Sequence, residues 1–170
     1  MAIKTGWTGR CFEDFVVGDV YEHPLGRTVT QADNIWFTCL TMNTNPIHFD
    51  AEYASRTEFK RPLVNSCFTL ALVTGQSVID LTINGVANLA WNDIRLPHPV
   101  FEGDTIYAKS EVLETRESAS RPKMGIVTVK STGMNQDGVT VIEFTRTFMI
   151  WKRGQAPSRT RPTHEPSSVP

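Results

Sequence analysis

Cysteine is scarce in this chain: three in 170 residues, Cys11, Cys39 and Cys67, far apart and without a C-x-x-C pair. An odd, scattered set excludes a disulfide framework and fits a reducing compartment. Cys39 and Cys67 fall in apolar stretches and read as small buried hydrophobes. An excess of charge of either sign is also lacking: 17 Lys and Arg stand against 18 Asp and Glu, for a net charge of −1. No basic field recommends nucleic acid, and no acidic run marks a solvated tail. There is no glycine-rich phosphate loop, no G-x-S-x-G and no zinc-ligand spacing, so no metal is expected. His23, His98 (between two prolines) and His164 are isolated. Long hydrophobic runs are missing too. The most apolar stretch, FTLALVTGQSVIDL, is interrupted by polar residues and too short to cross a membrane. The first ten residues hold no apolar core of signal-peptide length. A soluble, cytoplasmic protein with no membrane partner is expected.

What is present suggests one domain over 1–153, followed by a flexible tail over 154–170 rich in Pro, Ser, Thr and Arg. Thr30 with Asp33 three residues on is a helix start. Ala32, Ile35, Trp36, Cys39 and Leu40 follow at helical spacing, and Pro46 requires the helix to have ended. A second helix is expected from about Leu63 to Leu81. It is apolar on more than one face, which predicts burial all round, with Gly75 allowing close packing. After Gly85 the period changes to that of strands. GVANLAWNDIRL, DTIYAKSEVLETR, GIVTVKSTGMNQDG and VTVIEFTRTFMIWKR read as four long strands, with Asn135–Gly138 as a hairpin turn. The expected fold is α+β: a single hot-dog domain, a long antiparallel sheet wrapped around a central buried helix. Its edge strand needs cover, so a homodimer or a multiple of dimers is expected.

The stretch FTCLTMNTNPIHFDAEYAS carries the chemistry. It resembles the hydratase signature of the MaoC-like family, in which Asp-x-Asn-Pro-aliphatic-His follows a helix. A later stretch, LPHPVFEGDTI, resembles that family's Pro-Val-x-x-Gly-Asp element. LVNSCFTLALVTGQSVIDLT, VANLAWNDIRLPHPVFEGDT and RESASRP are similar to the branch containing itaconyl-CoA and mesaconyl-CoA hydratases. The resemblance covers about residues 12–152. It implies water addition or removal across the 2,3-double bond of an acyl-CoA thioester, with no cofactor, CoA being part of the substrate.

Carried over residue by residue, the resemblance places His48 at the catalytic histidine and Asn43 where the family has aspartate. An amide can orient water but cannot take its proton; an imidazole can. The expectation is therefore His48 as lone acid–base, with Asn43 holding the water. Asn45 and Pro46 shape the loop. Asn65 and Ser66 stand where many relatives have His-Gly, and with Cys67 they open the central helix, whose N–H groups would bind the thioester oxygen. Asp50 reads as a cap more readily than as a partner of His48. Arg61, Arg95 and Arg121 are candidates for CoA phosphates or a substrate carboxylate, beside Arg56 and Arg116. Two alternatives stand: a hot-dog acyl-CoA thioesterase, for which Asp80 is the one carboxylate on the helix, and a non-catalytic acyl-CoA-binding subunit.

Overall fold

The computed structural model describes residue 4 and residues 6–158. Most of the expected tail, residues 159–170, lies outside the described residues. In chain order come a 3-10 turn (Phe12–Asp14), β1 (Val20–Glu22), β2 (Arg27–Thr28), α1 (Gln31–Leu40), a second 3-10 turn (Pro46–His48) and α2 (Ala51–Ser55). Then follow α3 (Ser66–Gln76), a π-helical turn (Val78–Thr82), β3 (Gly85–Arg95), β4 (Thr105–Glu117), β5 (Met124–Met134) and β6 (Thr140–Trp151).

The four long strands form where period-2 patterning expects them. The sheet runs β1-β4-β5-β6-β3, antiparallel throughout, and β2 pairs separately with β4. The β5–β6 turn is closed by Asn135, whose Oδ1 accepts from the N–H groups of Asp137 and Val139, and Gly138 takes the positive φ of +75°. α3 lies across the sheet. At Gly133 a side chain would come within 2.6 Å of Val73 Cγ2 and 2.7 Å of Ile142 Cγ2, so glycine is what lets helix and sheet meet. Val73, Ile106, Ile142 and Phe144 fill the core on one side of this contact. Phe15, Leu81, Val112 and Phe148 fill it on the other. Each such fully buried side chain contributes about 1.5–3 kcal/mol.

Three expectations are corrected. α3 begins at Ser66, not near Leu63: Asn65 caps it in extended conformation, and Leu63 forms an isolated bridge to Phe101. It also ends at Gln76, and the chain continues as a π-helical turn. Second, α3 is not buried all round. Thr69 and Val73 are buried, but Ser66, Cys67 and Ala71 are exposed, and a side chain placed at Gly75 would meet nothing within 4 Å outside its own helix among the described residues. Third, the buried face of α1 is polar, Asn34 and Thr38, whereas Trp36 is 69% and Leu40 77% exposed. Cys39 and Cys67 are exposed with them. Apolar spacing marks a face that wants cover, and the described residues cover neither helix on that side.

Candidate active site

The loop from Asn43 to Asp50 is built by a chain of local hydrogen bonds. α1 starts as expected: Thr30 Oγ1 accepts from the Asp33 N–H, and the Asp33 carboxylate accepts from the Thr30 N–H. Arg27 grips Asp33 with two nitrogens, which holds that carboxyl well below the usual range. α1 closes with Met42 in the left-handed region (φ 55°) and the Asn43 N–H donating to Thr38 O at 3.0 Å. Asn43 Oδ1 accepts from the Asn45 N–H (3.1 Å), and Asn45 Oδ1 accepts from the Ile47 N–H (3.2 Å). Pro46 then opens the turn that carries His48. Asp50 caps α2 through the Tyr53 N–H at 2.9 Å and is thereby occupied away from the imidazole.

His48 is 9% exposed. Its Nδ1 lies 2.7 Å from the Leu63 carbonyl oxygen. A carbonyl only accepts, so Nδ1 carries the hydrogen, and in the neutral ring Nε2 holds the lone pair. Leu63 O also accepts from Asn34 Nδ2 at 3.0 Å. The same amide nitrogen donates to His48 O at 2.8 Å, and Asn34 Oδ1 accepts from the Asn65 N–H at 2.9 Å. Asn34, 4% exposed, thus ties the histidine loop, the Leu63 carbonyl and the start of α3 together. Neither Asn34 nor the buried Thr38, which accepts from Asn65 Nδ2 at 3.4 Å, was singled out by spacing. The signal was there as a polar i,i+4 pair inside an otherwise apolar helix.

At the start of α3, Asn65 Oδ1 accepts from the Cys67 N–H at 2.9 Å. That corrects the expected set of donors: the Cys67 amide is engaged by the cap. Among the described residues the Ser66 and Phe68 N–H groups find no acceptor, and they stand at the positive end of the helix. Ser66 lines a cavity of about 220 Å³ with Phe59, Leu63, Thr69, His98 and Val100. A larger cavity, about 690 Å³ and apolar, runs along the other face of α3 by Phe37, Phe68, Ala71 and Gly75.

The arginines separate. Arg61 stacks on Phe101 at 3.9 Å, beside the Leu63 bridge. Arg95 ends β3 opposite Glu143, near the Thr140 carbonyl that takes His98. Arg121 sits in the β4–β5 turn, its Nη1 3.8 Å from Met149 Sδ. Phe101 precedes the start of β4 and that turn follows its end, so Arg61 and Arg121 lie at opposite ends of a thirteen-residue strand, a path of up to roughly 40 Å at about 3.3 Å per residue. Arg121 is not brought to the site. Of the acids, Glu52 pairs with Arg56 on the surface. Asp80 binds His23 Nδ1 (2.9 Å) and Arg10 (3.2 Å) beyond the far end of α3, so it is not placed to activate water near Ser66.

A fixed imidazole, an amide loop and a helix start with open donors were read above as features of one family, and comparison with known proteins bears on that reading. A profile of the mesaconyl-CoA hydratase family matches residues 2–166. Mesaconyl-CoA hydratase of Cereibacter sphaeroides is 33% identical over 155 residues, covering 91% of this chain and 45% of that protein. β-Methylmalyl-CoA dehydratase of Chloroflexus aurantiacus is 32% identical over 173 residues, covering 100% of this chain and 48% of that protein. Among solved structures, a Mycobacterium tuberculosis protein with a double hot-dog fold superposes with a TM-score of 0.79 at 22% identity, over 92% of this chain and 47% of that one, a likeness of fold alone. The chain spans about half the length of the curated relatives it matches. Its fold is the hot-dog, and with a profile match over nearly its whole length the chain belongs to the mesaconyl-CoA hydratase family.

Proposed function

We propose that this chain catalyses reversible hydration of 2,3-enoyl-CoA thioesters with branched or dicarboxylic acyl groups, of the mesaconyl or methylmalyl type. The observation that carries the reading is the 2.7 Å bond from His48 Nδ1 to Leu63 O, which leaves Nε2 as the free base of a ring held in one orientation. Nε2 takes a proton from water as the oxygen attacks Cβ, and the imidazolium returns a proton to Cα. The open N–H groups of Ser66 and Phe68 hold the thioester oxygen as negative charge develops on it. Asn43 Oδ1 accepts from the Asn45 N–H, which fixes the amide, and its Nδ2 is the group that donates to the water. Arg61, stacked on Phe101 beside the Leu63 bridge, and Arg95, at the end of β3, are the arginines this reading assigns to CoA phosphates. Incubation with crotonyl-CoA, itaconyl-CoA and mesaconyl-CoA tests the reading. Loss of enone absorbance without release of free thiol is expected; thiol release without hydration would replace this reading with a thioesterase.

The working unit in this proposal is a homodimer. β3 is a sheet edge that exposes Leu89, Trp91 and Ile94, with Leu96 exposed just past its end, and α3 leaves one face open above the large apolar cavity. The mesaconyl-CoA hydratase and β-methylmalyl-CoA dehydratase relatives are about twice as long, and a second copy supplies what their other half would. Light scattering at micromolar concentration should give a multiple of the 19.1 kDa chain, and only the 19.1 kDa species would contradict it.

A further inference from the structure

Arg146 lies in the middle of β6, between Trp91 of β3 and Val129 of β5, and is 2% exposed. A buried guanidinium is ordinarily paired with a carboxylate. Here every partner is neutral. Nε donates to Asn88 Oδ1 at 2.7 Å, Nη1 to Ser77 Oγ at 2.8 Å and Nη2 to Thr82 Oγ1 at 3.4 Å, and the Phe148 ring lies 5.2 Å away. Among the described residues no carboxylate lies within ion-pairing distance of it. These bonds use three of five N–H donors, so two remain. Arg146 faces a cavity of about 230 Å³ that it lines with Thr74, Thr82, Gly85 and Asn88. On the same cavity the Thr74 hydroxyl is buried and has no hydrogen-bond partner. A buried cation with spare donors and an orphaned hydroxyl thus meet at one void. Burial without a counter-charge pulls the guanidinium down to about 10, the direction an absent anion would reverse.

We propose that the Arg146–Thr74 cavity is a carboxylate-binding site. The planar guanidinium matches a carboxylate better than a spherical anion, and the Thr74 O–H adds a third donor. Two sources share that chemistry: a free small carboxylic acid, or the acyl carboxylate of a thioester substrate. The second rests on the hydratase reading above and carries a geometric condition. α3 has eleven residues, about 16 Å at 1.5 Å each, with the His48 anchor Leu63 before its start and the Arg146 anchor Ser77 just past its end. A four- or five-carbon acyl group cannot reach from one to the other within one chain. An acyl carboxylate in this cavity therefore belongs to a substrate held by the His48 of an adjoining hot-dog unit.

The test uses the full chain and Thr74→Val. This change removes a buried unsatisfied hydroxyl at constant shape, so the variant should fold with an unfolding temperature at or above wild type; Arg146→Met is the harsher companion. Titration calorimetry with fumarate and with acetate, in chloride buffer of matched ionic strength, should show saturable binding to wild type. Binding should weaken about tenfold in Thr74→Val, the loss of one charge-assisted hydrogen bond, and vanish in Arg146→Met if that variant folds. This arm needs no hydratase activity, so it stands if the catalytic reading fails. A second arm compares KM for mesaconyl-CoA and crotonyl-CoA. A rise of about tenfold in Thr74→Val for mesaconyl-CoA alone assigns the acyl carboxylate; unchanged KM for both, with fumarate binding weakened, assigns a free acid. The proposal is overturned if wild type binds neither fumarate nor acetate and KM is unchanged for both thioesters. It is equally overturned if carboxylate binding persists undiminished in Thr74→Val.

Discussion

Replacing Asn34 by alanine should cost both stability and turnover, although Asn34 touches no substrate in the proposed mechanism. Its side chain makes three hydrogen bonds in a site closed to water: to His48 O, to Leu63 O and from the Asn65 N–H. Leu63 O keeps His48 Nδ1 as a partner in the variant, but the Asn65 N–H loses its acceptor, a buried donor left unsatisfied at about 1–3 kcal/mol. With the two lost bonds at roughly 0.5–1.5 kcal/mol each, the sum is about 2–6 kcal/mol, which relaxation brings down to roughly 2–4 kcal/mol. For a domain this size that corresponds to a fall of roughly 5–15 °C in the unfolding midpoint. The functional effect is separate. Asn34 fixes the carbonyl that orients the imidazole and the turn that starts α3, so base and thioester donors drift relative to each other. A displacement near 1 Å costs on the order of a hundredfold in rate. The assay is enone hydration normalised to the folded fraction, with kcat and KM separated. kcat should drop with KM little changed. Asn34→Asp sharpens the test: it keeps an acceptor for Asn65 but sets an oxygen against two carbonyls, so kcat should fall as well. Turnover within twofold of wild type in folded Asn34→Ala would refute the positioning role.

Asn43→Asp would put a carboxylate on the His48 loop, which favours the charged imidazole, so the acidic limb of kcat/KM should move to higher pH; an unmoved limb means Asn43 does not neighbour His48 in the working site. His23 tests the buried relay Asp80–His23–Ser110–Ser131, with bonds of 2.9, 3.0 and 2.8 Å. Burial depresses the His23 pKa, opposed only in part by the Asp80 bond, so the folded state prefers the neutral ring. Because the folded value lies below the unfolded one of about 6.5, this stabilisation is complete above 6.5 and is lost as pH falls through the folded value. The unfolding midpoint should therefore decline more gently between pH 7 and 5 in His23→Gln than in wild type; an equally steep decline would discount the relay. His48→Ala should keep its fold and lose at least the ~10²–10⁴-fold typical of a missing general acid–base.

The sheet was legible because its period is strong: Ile126 to Ser131 and Val139 to Phe144 alternate across long runs, and Asp137-Gly138 ends them. The start of α1 was legible because Thr30 and Asp33 form a complete capping box. His48 stood out because Asn-Pro-x-His is a recognisable unit. Less legible was which side of each helix faces inward. Trp36 and Leu40 look like core by type, yet the face turned inward holds Asn34 and Thr38, since what lies beneath α1 is loop backbone that needs polar partners. The length of α3 was misjudged for a similar reason. Leu63 and Val64 are apolar enough to extend it, but their backbone is claimed by Ile47 and Val100. Arg146 gave no signal in the strand pattern, because one arginine among alternating residues reads as outward-facing until its neighbours are known.

In the proposed hydration of a dicarboxylic enoyl-CoA, His48, held through Nδ1 by Leu63 and free at Nε2, moves the protons. The most direct measurement follows enone absorbance of mesaconyl-CoA with wild type and folded His48→Ala at equal concentration across pH 5–9. Steady loss is expected with wild type, with an acidic limb that reports one group, and the variant should be slower by at least about a hundredfold. Hydration by His48→Ala at the wild-type rate, or no hydration by wild type at any pH, would contradict it.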